Sequence, residues 1–257
     1  MPRHNPTSVN WTEATDDRGH ATLEVHIELD HGAGRPITAA VWSSAIPGDT
    51  EPHPLFLFGH GASGDRYQTP TPHLARRLVK AAPCTVLSLD GPVHGLREVN
   101  AGGRKAFWDE IKRAEATSDM IADWNCAIEV TKARFAGAGV KLGYYGLSMG
   151  SIFGIPLIAA RGDIDIAVLG LLGTTGAVEH LRDTLLAAAP QVNCPLLYLM
   201  QLEDELFDRM GYLELFDALG SADKRLHANP GLHPDITREE VNAAFDTLNS
   251  ICKNQAY

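Results

Sequence analysis

Cysteine is scarce in this chain: among 257 residues there are only Cys84, Cys126, Cys194 and Cys252. They are widely spaced and form no C-x-x-C pair, which leaves no zinc or dithiol framework. Cys84 and Cys194 open apolar strand-like runs and Cys126 falls within a helical pattern. They read as buried small hydrophobes in a reducing compartment. Basic runs are also missing. Lys and Arg number 22 against 32 Asp and Glu, a net charge of -10, and both signs are scattered along the chain. That excludes the electrostatic footprint of a nucleic-acid binder. No apolar run reaches membrane-spanning length. Met1 to His20 is polar and lacks the apolar core of a signal peptide, so the cytoplasm is the expected location. G-x-x-x-x-G-K-[ST] and H-E-x-x-H are absent. Gly137-Ala138-Gly139 precedes a strand instead of following one and lacks the spacing of a dinucleotide fingerprint. His60 and His94 lie near strand ends, where a histidine is more often a hydrogen-bonded loop residue than a metal ligand. The expectation is no metal and no cofactor.

What is present is apolar material in a strand–helix alternation. Hydrophobic residues make up 44% of the chain, ample for the core of one α/β domain over 1–257. Ala21 to Leu29 alternates, with Leu23, Val25, Ile27 and Leu29 on one face. The His31-Gly32-Ala33-Gly34 turn follows, then Ile37 to Trp42, and together they predict an antiparallel edge hairpin. Pro54 to Phe58, Thr85 to Leu89, Ile166 to Leu172 and Cys194 to Met200 are almost wholly apolar, as strands buried on both faces are, and Val140 to Tyr145 reads as a further strand. Helical patterns fill the gaps: His73 to Ala81, Thr117 to Phe135, Met149 to Ala160, Asp208 to Ala218 and Ile236 to Cys252. The prediction is a doubly wound, mostly parallel sheet with an antiparallel N-terminal edge. Two segments, 95–116 and 174–193, break the alternation and are candidate short lids.

The most informative stretch is Gly146-Leu147-Ser148-Met149-Gly150, a G-x-S-x-G between a strand and a helix. The turn this motif makes is sharp, bulky neighbours would clash, and the serine oxygen is exposed at a strand end. A serine hydroxyl is a weak nucleophile until a base takes its proton, so the rest of the chain must supply a base, an acid and oxyanion donors. Gly59-His60-Gly61-Ala62-Ser63-Gly64 ends the first parallel strand, and a Gly-rich turn there can aim backbone N–H groups at a tetrahedral oxyanion. The second donor is the N–H of Met149. Asp204, in Gln201-Leu202-Glu203-Asp204-Glu205 after the strand ending at Met200, is placed to orient a histidine. Glu203, Glu205 and Asp208 crowd it, and charges in such a run are usually solvated. His233, in the irregular Asn229-Pro230-Gly231-Leu232-His233-Pro234 loop before the last helix, completes the order Ser, Asp, His.

From about Ala21 to its C-terminus the chain resembles the α/β-hydrolase superfamily. The resemblance rests on His60-Gly61-Ala62, Gly146 to Gly150, Asp204 and His233. It implies an α/β-hydrolase fold and a serine esterase mechanism on a small-molecule ester or thioester, with Ser148, Asp204 and His233 catalytic. It also implies Ala62, the residue after the strand-end His-Gly, as the oxyanion donor partnering Met149. The compact layout is similar to dienelactone-hydrolase-type enzymes and small carboxylesterases. Ser148 stands where the former typically carry cysteine, and the His-Gly-Gly-Gly pattern of hormone-sensitive-lipase-like esterases is absent. Trp108, Phe107, Phe153 and Tyr67 are candidates for lining an acyl pocket. Two alternatives share these residues: the same fold acting on an amide, lactone, carbon–carbon bond or acyl acceptor, and a non-catalytic ligand receptor. Trp11 has a place either on its own domain or on a partner chain.

Overall fold

The computed structural model describes residues 4–30, 35–48, 50–99 and 102–253. The turn predicted over 31–34 lies outside them, as do 100 and 101 of the first lid segment. The strands are β1 (Pro6–Thr15), β2 (Ala21–Leu29), β3 (Ile37–Ser43), β4 (His53–Gly59), β5 (Thr85–Leu89), β6 (Ala138–Gly146), β7 (Ile166–Gly170), β8 (Leu196–Gln201) and β9 (Lys224–Asn229). They form one sheet in the order β1-β2-β3-β5-β4-β6-β7-β8-β9. Pairing is antiparallel from β1 through β3 to β5 and parallel beyond. This is the predicted α/β-hydrolase sheet with one correction. The β2–β3 pair is not the edge, because β1 lies outside it. Nearly all of β1 is exposed, with only Trp11 and Ala14 half-buried, so its sequence carries no apolar alternation.

The helices are α1 (Thr71–Ala81), α2 (Gly103–Glu110), α3 (Ala116–Arg134), α4 (Met149–Arg161), α5 (Arg182–Ala188), α6 (Arg209–Ala218) and α7 (Arg238–Lys253). Residues of α1 and α7, including Leu74, Leu78, Ala244 and Leu248, pack with Phe56, Phe58 and Val86 on one face of the sheet. Residues of α2 through α6 cover the other face, among them Phe107, Trp124, Ile155, Leu185 and Tyr212, over Leu55, Leu57 and Leu169. Strands β4, β5, β7 and β8 are buried along their whole length, which is why they read as unbroken apolar runs.

The register sets the site. Gly59 at the end of β4 stands beside Gly146 at the end of β6. Gln201 at the end of β8 stands beside Asn229 at the end of β9. The four loops that leave these ends rise from the carboxyl rim of the sheet, where open α/β sheets hold their ligands. Cys84, Cys126 and Cys194 are buried free thiols, and burial pushes Cys126 and Cys194 up to about 11.

Candidate active site

Ser148 sits at the turn from β6 into α4 with φ 55 and ψ -117, a strained backbone for a residue with a side chain. The flanking glycines are required by close approach. A Cβ on Gly150 would stand 2.4 Å from Gly59 O, and one on Gly146 would stand 2.7 Å from Gly150 O. Below the turn, Ser148 N–H donates to Gly170 O at 3.0 Å, and the Ser151 hydroxyl bonds Gly146 O and Gly170 O at 2.7 and 2.8 Å. The elbow is thus pinned to the end of β7.

His233 Nε2 lies 2.9 Å from Ser148 Oγ, and His233 Nδ1 lies 2.8 Å from Asp204 Oδ2. In the neutral ring Nδ1–H donates to the carboxylate, leaving the Nε2 lone pair to accept from the serine hydroxyl. The Asp204 side chain is fully buried. Its Oδ1 accepts from Leu206 N–H at 2.8 Å and Phe207 N–H at 3.1 Å, and its Oδ2 also accepts from the Tyr212 hydroxyl. Burial alone would raise this carboxyl. The donors from His233 and Tyr212 outweigh it and hold the group below the usual carboxylate range. The Phe207 ring packs on the imidazole at 5.6 Å between centroids.

On the opposite side, the 59–64 loop is braced by the half-buried Gln68 and the buried His60. Gln68 Oε1 accepts Gly61 N–H at 2.6 Å, and Gln68 Nε2 donates to Ser63 Oγ at 2.8 Å. His60 Nδ1–H donates to Gly61 O at 2.8 Å, while His60 Nε2 accepts from Gly91 N–H at 2.8 Å. Only the neutral Nδ1–H ring satisfies both bonds, and burial pushes His60 down to about 4. Ala62 lines the same cavity as Ser148 and His233. Met149 is the first residue of α4, so its N–H has no intrahelical acceptor.

The cavity measures about 130 Å³, and Phe107, Trp108, Leu171, Leu206, Phe207 and Ile236 supply its apolar walls. Among the described residues, no group of three or more His, Cys, Asp or Glu is placed to hold a metal ion. No helix among them is long and apolar enough to cross a membrane.

No family model matches the chain, and a comparison with curated proteins returns no match. Solved structures do match. A cold-adapted esterase from an Arctic intertidal metagenomic library, in its PEG-bound form, is 31% identical over 94% of this chain and 100% of its own, with a TM-score of 0.75. The zinc-bound form of that esterase is 32% identical over 93% and 99%, with a TM-score of 0.70. Acetyl xylan esterase 1 from Thermoanaerobacterium sp. JW/SL YS485 shares the fold at 13% identity, with a TM-score of 0.69 over 96% of this chain and 88% of its own. The chain belongs to the esterases of the α/β-hydrolase superfamily.

In this hydrolase, two of the sequence expectations move. Phe153 does not line the Ser148 cavity. It lies beneath the elbow, buried with Met120, Trp124 and Tyr144 around a separate small void. Helix α4 is buried on all sides from Met149 to Ile158, so its periodicity gave no sign of which way Phe153 turns. Tyr67 also faces away. Its hydroxyl donates to Glu24 of β2 at 2.8 Å and its ring meets Trp42 edge-on, while its neighbours Gln68, Thr69 and Pro70 reach the cavity. Segment 174–193 does not line the cavity, and its Val178, Leu185 and Ala189 are buried in the core. Phe107 and Trp108 of α2 do line it. Trp11 packs on its own chain, edge-on to Phe135 and under the Arg134 guanidinium.

Sequence reasoning missed Tyr212, Gln68 and Phe207. Glu203 and Glu205 are exposed, as charges in such a run usually are, yet both hold backbone N–H groups. Glu203 accepts from Gly231 N–H, and Glu205 accepts from His233 N–H at 2.9 Å. The acidic run around Asp204 grips the loop that carries His233.

Proposed function

We propose that this hydrolase cleaves carboxylic esters of small to medium acyl groups through an acyl-Ser148 intermediate. The observation that carries the reading is the unbroken relay from Ser148 Oγ through His233 to the buried Asp204, at 2.9 and 2.8 Å, opening onto an apolar cavity. His233 takes the serine proton as Ser148 Oγ attacks the acyl carbon. Asp204 holds the ring in place and stabilises the imidazolium that forms. The Ala62 and Met149 N–H groups receive the oxyanion. His233 then protonates the departing alcohol, and in the second half it activates water to release the acid. A thioester would follow the same course with a thiol leaving.

The cavity bounds the acyl group. A void of about 150 Å³ takes a benzene ring, so about 130 Å³ suits an acetyl or butyryl chain better than an octanoyl chain. The test is hydrolysis of p-nitrophenyl acetate, butyrate and octanoate by the wild type and by Ser148→Ala. The expected result is activity on the two shorter esters, weak activity on octanoate, and a loss of at least about 10⁴-fold in kcat for the folded variant. A variant with near-wild-type rate would refute the nucleophile. Tight ligand binding without turnover by the wild type would favour a receptor.

A further inference from the structure

Asp204 Oδ2 receives two donors at once. His233 Nδ1 lies 2.8 Å away, and the Tyr212 hydroxyl donates to the same oxygen. Other buried phenols of the chain pair with neutral backbone carbonyls: Tyr198 with Leu172 O and Tyr144 with Gly150 O, each at 2.7 Å. Those bonds satisfy a hydroxyl and do nothing more. Tyr212, fully buried on α6 and packed edge-on against Phe207, spends its proton on a carboxylate that already holds two backbone N–H groups on its other oxygen. With Tyr212 and His233 the carboxylate has all four of its acceptor sites filled.

We infer that Tyr212 is a positioning residue that sets the proton affinity of His233 by sharing the charge on Asp204 Oδ2. The inference rests on the triad reading above. An anionic oxygen that gives part of its charge to a phenol stabilises the neighbouring imidazolium less than one that gives it all to the ring. The phenol therefore keeps His233 neutral, and able to act as a base, to a lower pH than a lone Asp–His pair would. It also fixes the carboxylate plane, so that Oδ2 stays aimed at Nδ1.

Other charged groups face the pair from each neighbouring element. Glu205 bonds the His233 N–H, Glu203 the Gly231 N–H and Asp235 the Leu232 N–H. Arg209, at the start of α6, donates to Leu202 O. Tyr198 of β8 lies near Tyr212 on the buried side. The carboxylates of Glu203, Glu205 and Asp235 bond backbone N–H groups at exposed positions, where solvent screens them. Tyr212 alone adds a second side-chain donor to the buried oxygen that holds the ring.

The experiment is an NMR titration of the His233 ring Cε1–Hε1 signal in the full chain, assigned by its loss in His233→Gln, for wild type and Tyr212→Phe. It runs beside kcat/KM profiles on p-nitrophenyl acetate. The expected result is an upward shift of the His233 midpoint by about half to one pH unit in Tyr212→Phe. The acid limb of kcat/KM moves with it, KM stays within about twofold, and the high-pH plateau stays within about tenfold of wild type. An unmoved midpoint, with a lower melting temperature or a uniform rate loss, would overturn the inference and leave Tyr212 a packing residue. Ser148→Ala separates the two readings. If that variant keeps its rate the ester mechanism falls, and the NMR midpoint still decides for or against Tyr212.

Discussion

The buried histidine of the 59–64 loop makes acid stability predictable. His60 is 3% exposed, and both ring nitrogens are committed, Nδ1–H to Gly61 O and Nε2 to Gly91 N–H. Protonating Nε2 would set a donor against the Gly91 donor inside the protein. Burial drives the ring down to about 4 from 6.5, with the His94 ring beside it adding to the effect and the Asp90 and Asp65 carboxylates opposing it. The unfolded chain takes up this proton near 6.5 and the folded chain near 4. His60 therefore contributes its full stability above about pH 6.5, loses it as pH falls, and contributes nothing below about 4. The distance between those two midpoints is worth about 3 kcal/mol. The assay is urea unfolding of wild type and His60→Gln at half-unit steps from pH 7.5 to 4. Other titrating groups act on both curves and drop out of the difference. At pH 7 the variant is expected to be less stable, having lost two buried bonds. The gap should close by about 3 kcal/mol as pH falls to 4, and the curves should meet or cross. Parallel curves would refute the reasoning, because they would mean that His60 takes up its proton equally in both states.

Two further outcomes follow from the geometry around Ser148. Gly150→Ala would place a Cβ 2.4 Å from Gly59 O and 2.9 Å from Gly59 C, backbone against backbone where α4 meets β4. A loss of at least about 3 kcal/mol in urea unfolding is expected, with esterase activity lost in step. A variant within about 1 kcal/mol of wild type would show that the elbow can slide. Trp108→Ala removes a wall that α2 contributes to the cavity. The ratio of kcat/KM for p-nitrophenyl octanoate over acetate should rise at least about tenfold. An unchanged ratio would put the chain-length limit on Leu206 and Phe207 instead.

Most of the sheet was legible because its inner strands are apolar on both faces, a pattern that composition alone reveals in β4, β5, β7 and β8. The relay was legible because the motif, the chain order and the strand ends constrain one another. Ser148, Asp204 and His233 each follow a strand, and parallel register brings those strand ends to one rim. Where the signal depended on the direction of one side chain, it failed. Phe153 and Tyr67 have the residue type of a pocket wall, but one turns into the sheet-facing core and the other reaches Glu24. Strand β1 was invisible because an exposed edge strand has no buried face to pattern. Tyr212 gave no signal either. It lies two turns beyond Asp204, on a helix whose apolar side also carries the buried Leu215, so its spacing marks core and nothing more.

The acidic run Glu203-Asp204-Glu205 shows why counting charges along a sequence misjudges them. The loop from 230 to 236 holds Pro230, Gly231 and Pro234 and forms neither helix nor strand, so its backbone N–H groups have no regular partners. Three of them face carboxylates: Gly231 on Glu203, His233 on Glu205, and Leu232 on Asp235 within the loop itself at 2.9 Å. Gln201 Nε2 adds a bond to Asp235 O, and Leu202 N–H donates to Asn229 O at 2.8 Å. Charge-assisted bonds of this kind are stronger than neutral ones, and here they join the same two segments that Asp204 and His233 join. His233 and Asp204 are therefore carried on one cross-braced unit at the ends of β8 and β9. A relay that holds Nε2 within 3 Å of Ser148 Oγ needs that stiffness.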